Sequence, residues 1–569
     1  MTETPQPSLT QRVASAAAWN TLLFPARFVV GLAASVLLFR FLTLAEYGVL
    51  TLLTGLAATI GLYADLGIER SLPRFIPEVE VQGGRVGVAG FLRRIIALKL
   101  AIIVACIAAL LLFSGPLIGY VVANEQRTLQ QAEQKVAALT AQGAPADEIN
   151  KAVQERDAEA DVIRQIEQRG RLFLWAVGAL VFFGALYDVF MQFLTAYFKQ
   201  RSWNIITVVV TLLQPLLIIG FILLGWRLEG VLLGLVITPV IAVALAAWQA
   251  ARAGRELGSG DQDATAERAL ARRFAGFAGM SFFIQVTTWF YDLQFVTFVL
   301  YAIGVPLDQM ALLAFAYKFA KDYLGYVYIP FSGVLTPLLA RIRGRQDHAA
   351  LQETYGGLTR IFALLLIPAG VGLALLTPRL LALLYPRYVD TTTLIYLFVG
   401  FTFAESLLSV PHNILMVYER YQPVFLSRAL ALVSVPLLAT LPLLAPDQRL
   451  VVAAIGVGTA RVLSRLTTII YVKQRMGLRF PLGFVGRMVA ATFLFGLPLL
   501  LLLPVWPLPA TAVGVTGKAA AALSLGALAA VSGLGYLLAL RLLGGLDEQE
   551  RTRILSLKLP FKRTLARLL

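Results

Sequence analysis

The sequence predicts an all-α polytopic membrane protein: about fourteen transmembrane helices in two bundles of six and eight around a central cavity, with an extra external helical hairpin. Three observations carry this. Of the 569 residues, 58% are hydrophobic and only 14% charged, against roughly 45–50% and about 25% in ordinary soluble domains. Apolar runs of the roughly 20 residues that a helix needs to cross a bilayer recur along nearly the whole chain. The basic residues gather at alternate ends of those runs, as the positive-inside rule requires.

In order, the runs centre on 16–42, 47–66, 88–122, 172–198, 204–226, 229–250, 276–303, 309–339, 358–385, 391–418, 422–445, 450–472, 485–506 and 515–543. The opening stretch MTETPQPSLTQRVAS is polar and has no small-residue cleavage site behind a short apolar core, so the first run is expected to stay as a helix. With the N-terminus inside, the cytoplasmic segments hold Arg70, Arg74, Arg85, Arg93 and Arg94, then Arg252 to Arg273, Arg341 to Arg345, Lys473 to Arg487 and the tail bases. The short outer loops hold far fewer, Arg40, Arg227, Arg379, Arg387, Arg449 and Lys518 among them. The net charge of +16 is therefore topological, and nucleic-acid binding loses its support. Both termini are expected in the cytoplasm, and the chain in a bacterial inner (plasma) membrane.

Three stretches fall outside this pattern. Residues 124–170 are highly charged and split by Gly143-Ala-Pro145, which predicts an extracytoplasmic helical hairpin inserted in the N-terminal lobe (1–252). Its thin apolar seam is Val136 and Leu139 against Ile149, Val153, Val162 and Ile166. Residues 253–270 are polar and Gly-rich, a cytoplasmic linker to the C-terminal lobe (271–543). Residues 544–569 form a basic amphipathic tail expected on the anionic inner leaflet. The single Cys106 excludes a disulfide framework or thiolate zinc site, and two histidines, His348 and His412, exclude histidine-rich metal chemistry. No metal or cofactor is expected beyond a coupling Na+ or H+.

The segment Arg40-Phe-Leu-Thr-Leu-Ala-Glu46-Tyr47-Gly48, followed by Asp65-Leu-Gly67-Ile-Glu69-Arg70 and Arg74-Phe-Ile-Pro-Glu78, resembles the opening helix pair of Wzx-type flippases. These move polysaccharide units and lipid-linked oligosaccharides within the multidrug, oligosaccharidyl-lipid and polysaccharide exporter superfamily. Leu313-Ala-Phe-Ala-Tyr317-Lys318 and the downstream Pro337 resemble the matching pair of the second lobe. The resemblance implies an alternating-access carrier for a polyprenyl-diphosphate-linked sugar, moved from the inner to the outer leaflet in cell-surface polysaccharide biosynthesis. The 124–170 hairpin departs from the family's short outer loop. It is the expected contact for a polysaccharide polymerase or another envelope protein.

The residues themselves supply a separate argument. Six bases lie within the apolar runs: Arg27, Lys99, Lys318, Lys321, Arg461 and Arg465. Each costs roughly 2.5–3.5 kcal/mol at mid-bilayer, so they should face a cavity or partners. Lys99 lies near a helix end and reads as a snorkelling anchor. Lys318, Lys321 and Asp322 share a helix face, as do Arg461 and Arg465, four residues apart beside Gly458. Like charges so spaced favour an anion between them, and a lipid diphosphate is one; arginine would hold it by forked hydrogen bonds. The alternative is structural pairing, Arg461 with Glu405, Lys318 with Asp322 and Arg27 with an acid such as Asp188. Asp292 closes a stripe with Ser281, Gln285 and Thr288, suited to an ion or proton or to neutralising an arginine. Glu405, Ser409 and His412 form a second stripe, read as a proton relay or a packing set. The tyrosine-rich run Tyr317, Phe319, Tyr323, Tyr326, Tyr328 suits either sugar stacking or packing.

Four functions compete. A cation-coupled multidrug antiporter of the same superfamily would have an acid-dominated cavity, whereas here the bases outnumber the acids Asp188, Asp292, Asp322 and Glu405. A polytopic glycosyltransferase or ligase would need a large outer loop bearing acid-base or metal-binding groups, which the hairpin does not offer. A membrane scaffold would not need intramembrane charge. Without such an outer loop no enzymatic activity is expected, and since no Gly-Lys-Ser/Thr nucleotide loop occurs the expected driving force is an ion gradient or substrate flow.

Overall fold

The computed structural model describes residues 29–197, 199–255, 264–502 and 514–542, and every regular element among them is a helix. In chain order these are α1 (Val29–Phe41), α2 (Leu44–Asp65), α3 (Ile68–Leu112), α4 (Ser114–Ala141), α5 (Ala146–Ala196), α6 (Gln200–Leu223), α7 (Arg227–Gly254), α8 (Ala264–Trp289) and α9 (Leu293–Ala302). Then follow α10 (Leu307–Arg345), α11 (His348–Leu384), α12 (Thr392–Leu407), α13 (Val410–Val417), α14 (Tyr421–Ala431), α15 (Val435–Ala439), α16 (Pro446–Met476), α17 (Leu482–Leu502) and α18 (Gly514–Leu542). Among the described residues nine helical segments are long and apolar enough to cross a membrane, ten if α12 and α13 form one bent span. No more than 39% of any of these apolar windows is buried inside the protein, so most of that surface needs lipid as its solvent.

The described part of each expected run is mainly helical, the first being described only from Val29 and the last two only to Leu502 and Leu542. Four runs are interrupted: 88–122 at Phe113, 422–445 by two 3-10 turns, and two more at polar residues. The 276–303 run stops at Trp289, and Asp292, extended at ψ 154°, caps α9 by accepting from the Leu293 amide at 2.8 Å. The 391–418 run bends by 42° between Leu407 and Val410. Ser281 to Asp292 and Glu405 to His412 are thus not single-helix stripes: each crosses a helix end, which the periodicity could not reveal. The linker residues 256–263 and the tail lie outside the described residues, as does Arg27.

The described residues form two compact units. The first comprises those up to Ala314 with Val435–Ala453. Its core joins Leu72, Phe75 and Ile76 of α3 to Val189 and Leu194 of α5, Ala246 of α7 and Phe274 of α8. On α7, Ala242, Ala246, Ala250 and Ala253 are all buried; in lipid, where burial brings little hydrophobic gain, small residues bind helices by letting backbones approach. The second unit comprises Phe315–Ser434 and the described residues from Ala454. Its core joins Tyr355, Phe362 and Leu366 of α11, Ile414 and Leu415 of α13, Val424 of α14 and Met488 of α17. The Tyr536 hydroxyl is satisfied there by the Leu364 carbonyl at 3.1 Å.

The hairpin emerges from the first unit. At 1.5 Å per residue, the 51 residues of α5 span about 77 Å, more than twice the roughly 30 Å hydrocarbon core. The charged first part of α5 therefore stands outside the hydrocarbon, packed with α4 across the Gln142–Pro145 turn. Val162 and Ile166 of the expected seam are buried, and Val136, Leu139, Ile149 and Val153 half-buried. Lys135 and Glu155 bridge the arms at 2.9 Å.

Candidate functional site

In the second unit the site begins with a close approach. A Cβ on Gly458 of α16 would lie 2.0 Å from the Phe401 ring of α12, so only glycine admits the ring there. One turn further along each helix stand Arg461 and Glu405. Arg461 Nη1 donates to Glu405 Oε2 at 3.3 Å and Arg465 Nη2 to Oε1 at 3.0 Å. These three side chains are 18–22% exposed. Low polarity strengthens such charge-assisted bonds.

A second contact gathers more positive charge. The Arg461 guanidinium lies 5.0 Å from the centre of the Tyr317 ring and the Lys321 ammonium 5.4 Å from it, both within cation–π range. Tyr317 itself packs edge-on against Phe398 at 5.4 Å. One turn around α10, Lys318 pairs with Asp322 at 2.5 Å, both side chains partly exposed. Two of the expected bases, Arg461 and Arg465, thus share one acid, and Arg461 shares one phenol ring with a third, Lys321, while Lys318 is held by its own neighbour. Phe319 and Tyr323 are used in packing, their rings 4.5 Å apart.

The first unit holds a different cluster, built by a turn. Leu66 and Gly67 are both left-handed, at φ 50° and 73°, and break α2 from α3. A Cβ at Gly67 would fall 2.1 Å from the Ala278 carbonyl oxygen, so the turn sits directly on α8. It delivers Asp65 to Gln285, whose Nε2 donates to Oδ2 at 3.3 Å, and to Lys99 of α3, whose Nζ reaches Oδ1 at 3.3 Å. Glu69 accepts from the same ammonium, and Asp188 of α5 acts electrostatically on the group. Lys99 is 3% exposed. It is not a snorkelling anchor: it sits between two carboxylates, because the turn brings Asp65 back to it. Glu69, absent from the expected site, stood in the resembling motif four residues after Asp65.

The remaining motif residues are structural neighbours. Thr43 and Glu46 form a capping box at the start of α2. Glu46 Oε2 also receives Arg227 at 2.8 Å. Tyr47 packs edge-on against Phe39 at 4.7 Å, Arg40 is exposed, and Arg74 lies 5.0 Å from the centre of the Phe277 ring. Among the described residues no group of three His, Cys, Asp or Glu side chains is arranged to hold a metal ion.

Comparison with known proteins gives the fold. No family model and no curated protein matches the sequence. Among solved structures, the inward closed conformation of lipid II flippase MurJ superposes with a TM-score of 0.60 at 13% identity, over 91% of this chain and 98% of that one. An inward-facing multidrug resistance MATE family transporter of the MOP superfamily superposes with a TM-score of 0.52 at 12% identity, over 79% and 94%. The chain is an all-helical polytopic membrane protein with the fold of these transporters.

Proposed function

We propose that the chain is a membrane flippase that moves a polyprenyl-diphosphate-linked oligosaccharide or polysaccharide repeat unit from the inner to the outer leaflet by alternating access, in cell-surface polysaccharide biosynthesis. The observation that carries this is the convergence of Arg461 and Arg465 on one carboxylate, Glu405, with Lys321 sharing the Tyr317 ring with Arg461. One acid cannot neutralise three bases, so the excess favours an anion. A diphosphate offers forked acceptors to the guanidiniums and a point-charge contact to Lys321. Glu405 holds the arginines in register until the headgroup takes its place. Arg27, Lys318, Asp322 and Asp292 remain in the proposal as contacts or charge balance along the route. The protein works as a carrier and not an enzyme, in a bacterial inner membrane with both termini cytoplasmic.

A second reading has its own observation. In the first unit the acids Asp65, Glu69 and Asp188 outnumber the bases Lys99 and Arg70, an acid-rich setting suited to a coupling Na+ or H+ and to a cation-coupled multidrug antiporter. Flipping of a fluorescent polyprenyl-diphosphate oligosaccharide in proteoliposomes tests both. The wild type should flip it and Arg461→Ala/Arg465→Ala should not, while folding is retained. Transport of organic cations alone would replace the flippase reading by the antiporter.

A further inference from the structure

At the root of the hairpin the Leu307 peptide is gripped from two sides. Its amide donates to Glu125 Oε2 of α4 at 3.5 Å, and its carbonyl oxygen would lie 2.2 Å from a Cβ on Gly48 of α2. The Tyr301 hydroxyl donates to the Val121 carbonyl at 3.3 Å, so α9 and the turn into α10 are tied to α4 at two points. Glu125 is wholly buried and its Oε1 has no partner; Glu159 of α5 is 7% exposed and its Oε2 has none either. Asp308, next to Leu307, acts electrostatically on both. Two buried carboxyl groups and the half-buried Asp308 thus act on one another at one corner.

The charged groups around that corner do not neutralise it. On the hairpin, Lys135 is bound to Glu155 at 2.9 Å, and the two act on Asp308 in opposite senses. Arg227 of α7 is bound to Glu46 of α2 at 2.8 Å. Arg169 is bound to Glu229. Arg127 is exposed and lines a separate cavity of about 290 Å³ with Tyr120, Asn124 and Gly304. Burying an ionised carboxylate without a cation or a full set of donors is prohibitive, and the group takes up a proton instead.

We propose that Glu125 and Glu159, with Asp308, form a proton-binding site at the root of the hairpin, and that proton uptake there fastens the hairpin to the Ile303–Asp308 turn. Burial pushes the Glu125 carboxyl up from 4.5 to about 7 against the lowering by Leu307, Tyr301 and Asn124, and the Asp308 charge adds to the rise; burial raises Asp308 as well. A carboxyl whose pKa is higher when docked than when released stabilises docking fully below 4.5 and loses that contribution as pH climbs through about 7. Across that window the docking equilibrium falls roughly tenfold per pH unit for one such group. Because Leu307 also seats Gly48, loosening on the hairpin side would be felt at the start of α2.

Hydrogen exchange on the full chain in lipid nanodiscs tests this, with protection of 121–128 and 303–308 corrected for the intrinsic pH dependence of exchange. Protection in the wild type should fall roughly tenfold per pH unit over the window. Glu125→Gln/Glu159→Gln, which keeps the neutral shape, should stay protected with a much shallower profile, Asp308 alone being left to titrate. A flat wild-type profile, or loss of protection in the glutamine variant at every pH, would overturn the proposal. Restoration of protection at alkaline pH by Na+ or Ca2+ would also overturn it, by making the corner a metal-cation site. Should the double variant not fold, the infrared band of protonated carboxylic acid in the wild type decides: it must be present at neutral pH and vanish on alkaline titration, and its absence sinks the idea.

Discussion

Arg461 and Arg465 hold opposite oxygens of the same carboxylate: Arg461 reaches Glu405 Oε2 at 3.3 Å and Arg465 reaches Oε1 at 3.0 Å. Glu405 is what allows two guanidiniums on successive turns of α16 to coexist away from water. Glu405→Gln should therefore lower thermal stability, and a double-mutant cycle with Arg465→Ala should show a coupling of about 1.5–3 kcal/mol, the range for hydrogen bonds to charged groups. Unfolding followed by tryptophan fluorescence in detergent measures it. Additive single and double variants would mean that the two side chains do not depend on each other.

Lys99 makes the corresponding case in the first unit, where burial is deeper. Removing one partner of a buried ion pair leaves an uncompensated charge, at a cost of roughly 3–5 kcal/mol. Lys99→Met should lose about that much in an unfolding titration. Adding Asp65→Asn and Glu69→Gln should recover a large part, since the orphaned charges go with them. A Lys99→Met protein as stable as wild type would show that the carboxyl groups are already neutral.

How much of this was legible in the sequence depends on the range of each interaction. An apolar run of twenty residues is a local signal, and the described part of each of the fourteen is mainly helical. The breaks at Asp292 and Ser409 were hidden because a polar residue in an apolar run serves equally as a helix-facing group and as a helix end; φ and ψ decide, and periodicity does not carry them. Lys318 with Asp322 could be read at four-residue spacing. Arg461 with Glu405 stood open between a structural pair and an anion site, and the pair forms with Arg465 included. Lys99 was misread because its partner Asp65 comes back through a left-handed turn 34 residues away. That Gly67 sits in the resembling motif was a signal, but only packing against Ala278 shows what the glycine does.

Gly458 sets the distance between the helices that carry Glu405 and the arginine pair. Gly458→Ala places a methyl group 2.0 Å from the Phe401 ring, a contact that forces the ring or the helix to move. Overpacking of this kind costs about 1–3 kcal/mol. The expected outcome is a destabilised protein with impaired flipping, and Phe401→Leu added to Gly458→Ala should restore both. Failure of the second change to rescue would place the fault elsewhere than in this contact.

Tyr317 is where the charge excess becomes a substrate question. Its ring lies under Arg461 at 5.0 Å and Lys321 at 5.4 Å, which positions both cations without cancelling either. Such contacts are worth roughly 0.5–2 kcal/mol, depending on desolvation. Tyr317→Phe keeps the aromatic face, and apparent affinity for the diphosphate-linked substrate in the proteoliposome assay should stay close to wild type. Tyr317→Leu keeps bulk and loses the ring, so affinity should weaken about twofold to thirtyfold, the ratio that those energies correspond to. Equal loss in both variants would assign the role to the hydroxyl; no loss in either would leave the cations positioned by Glu405 alone.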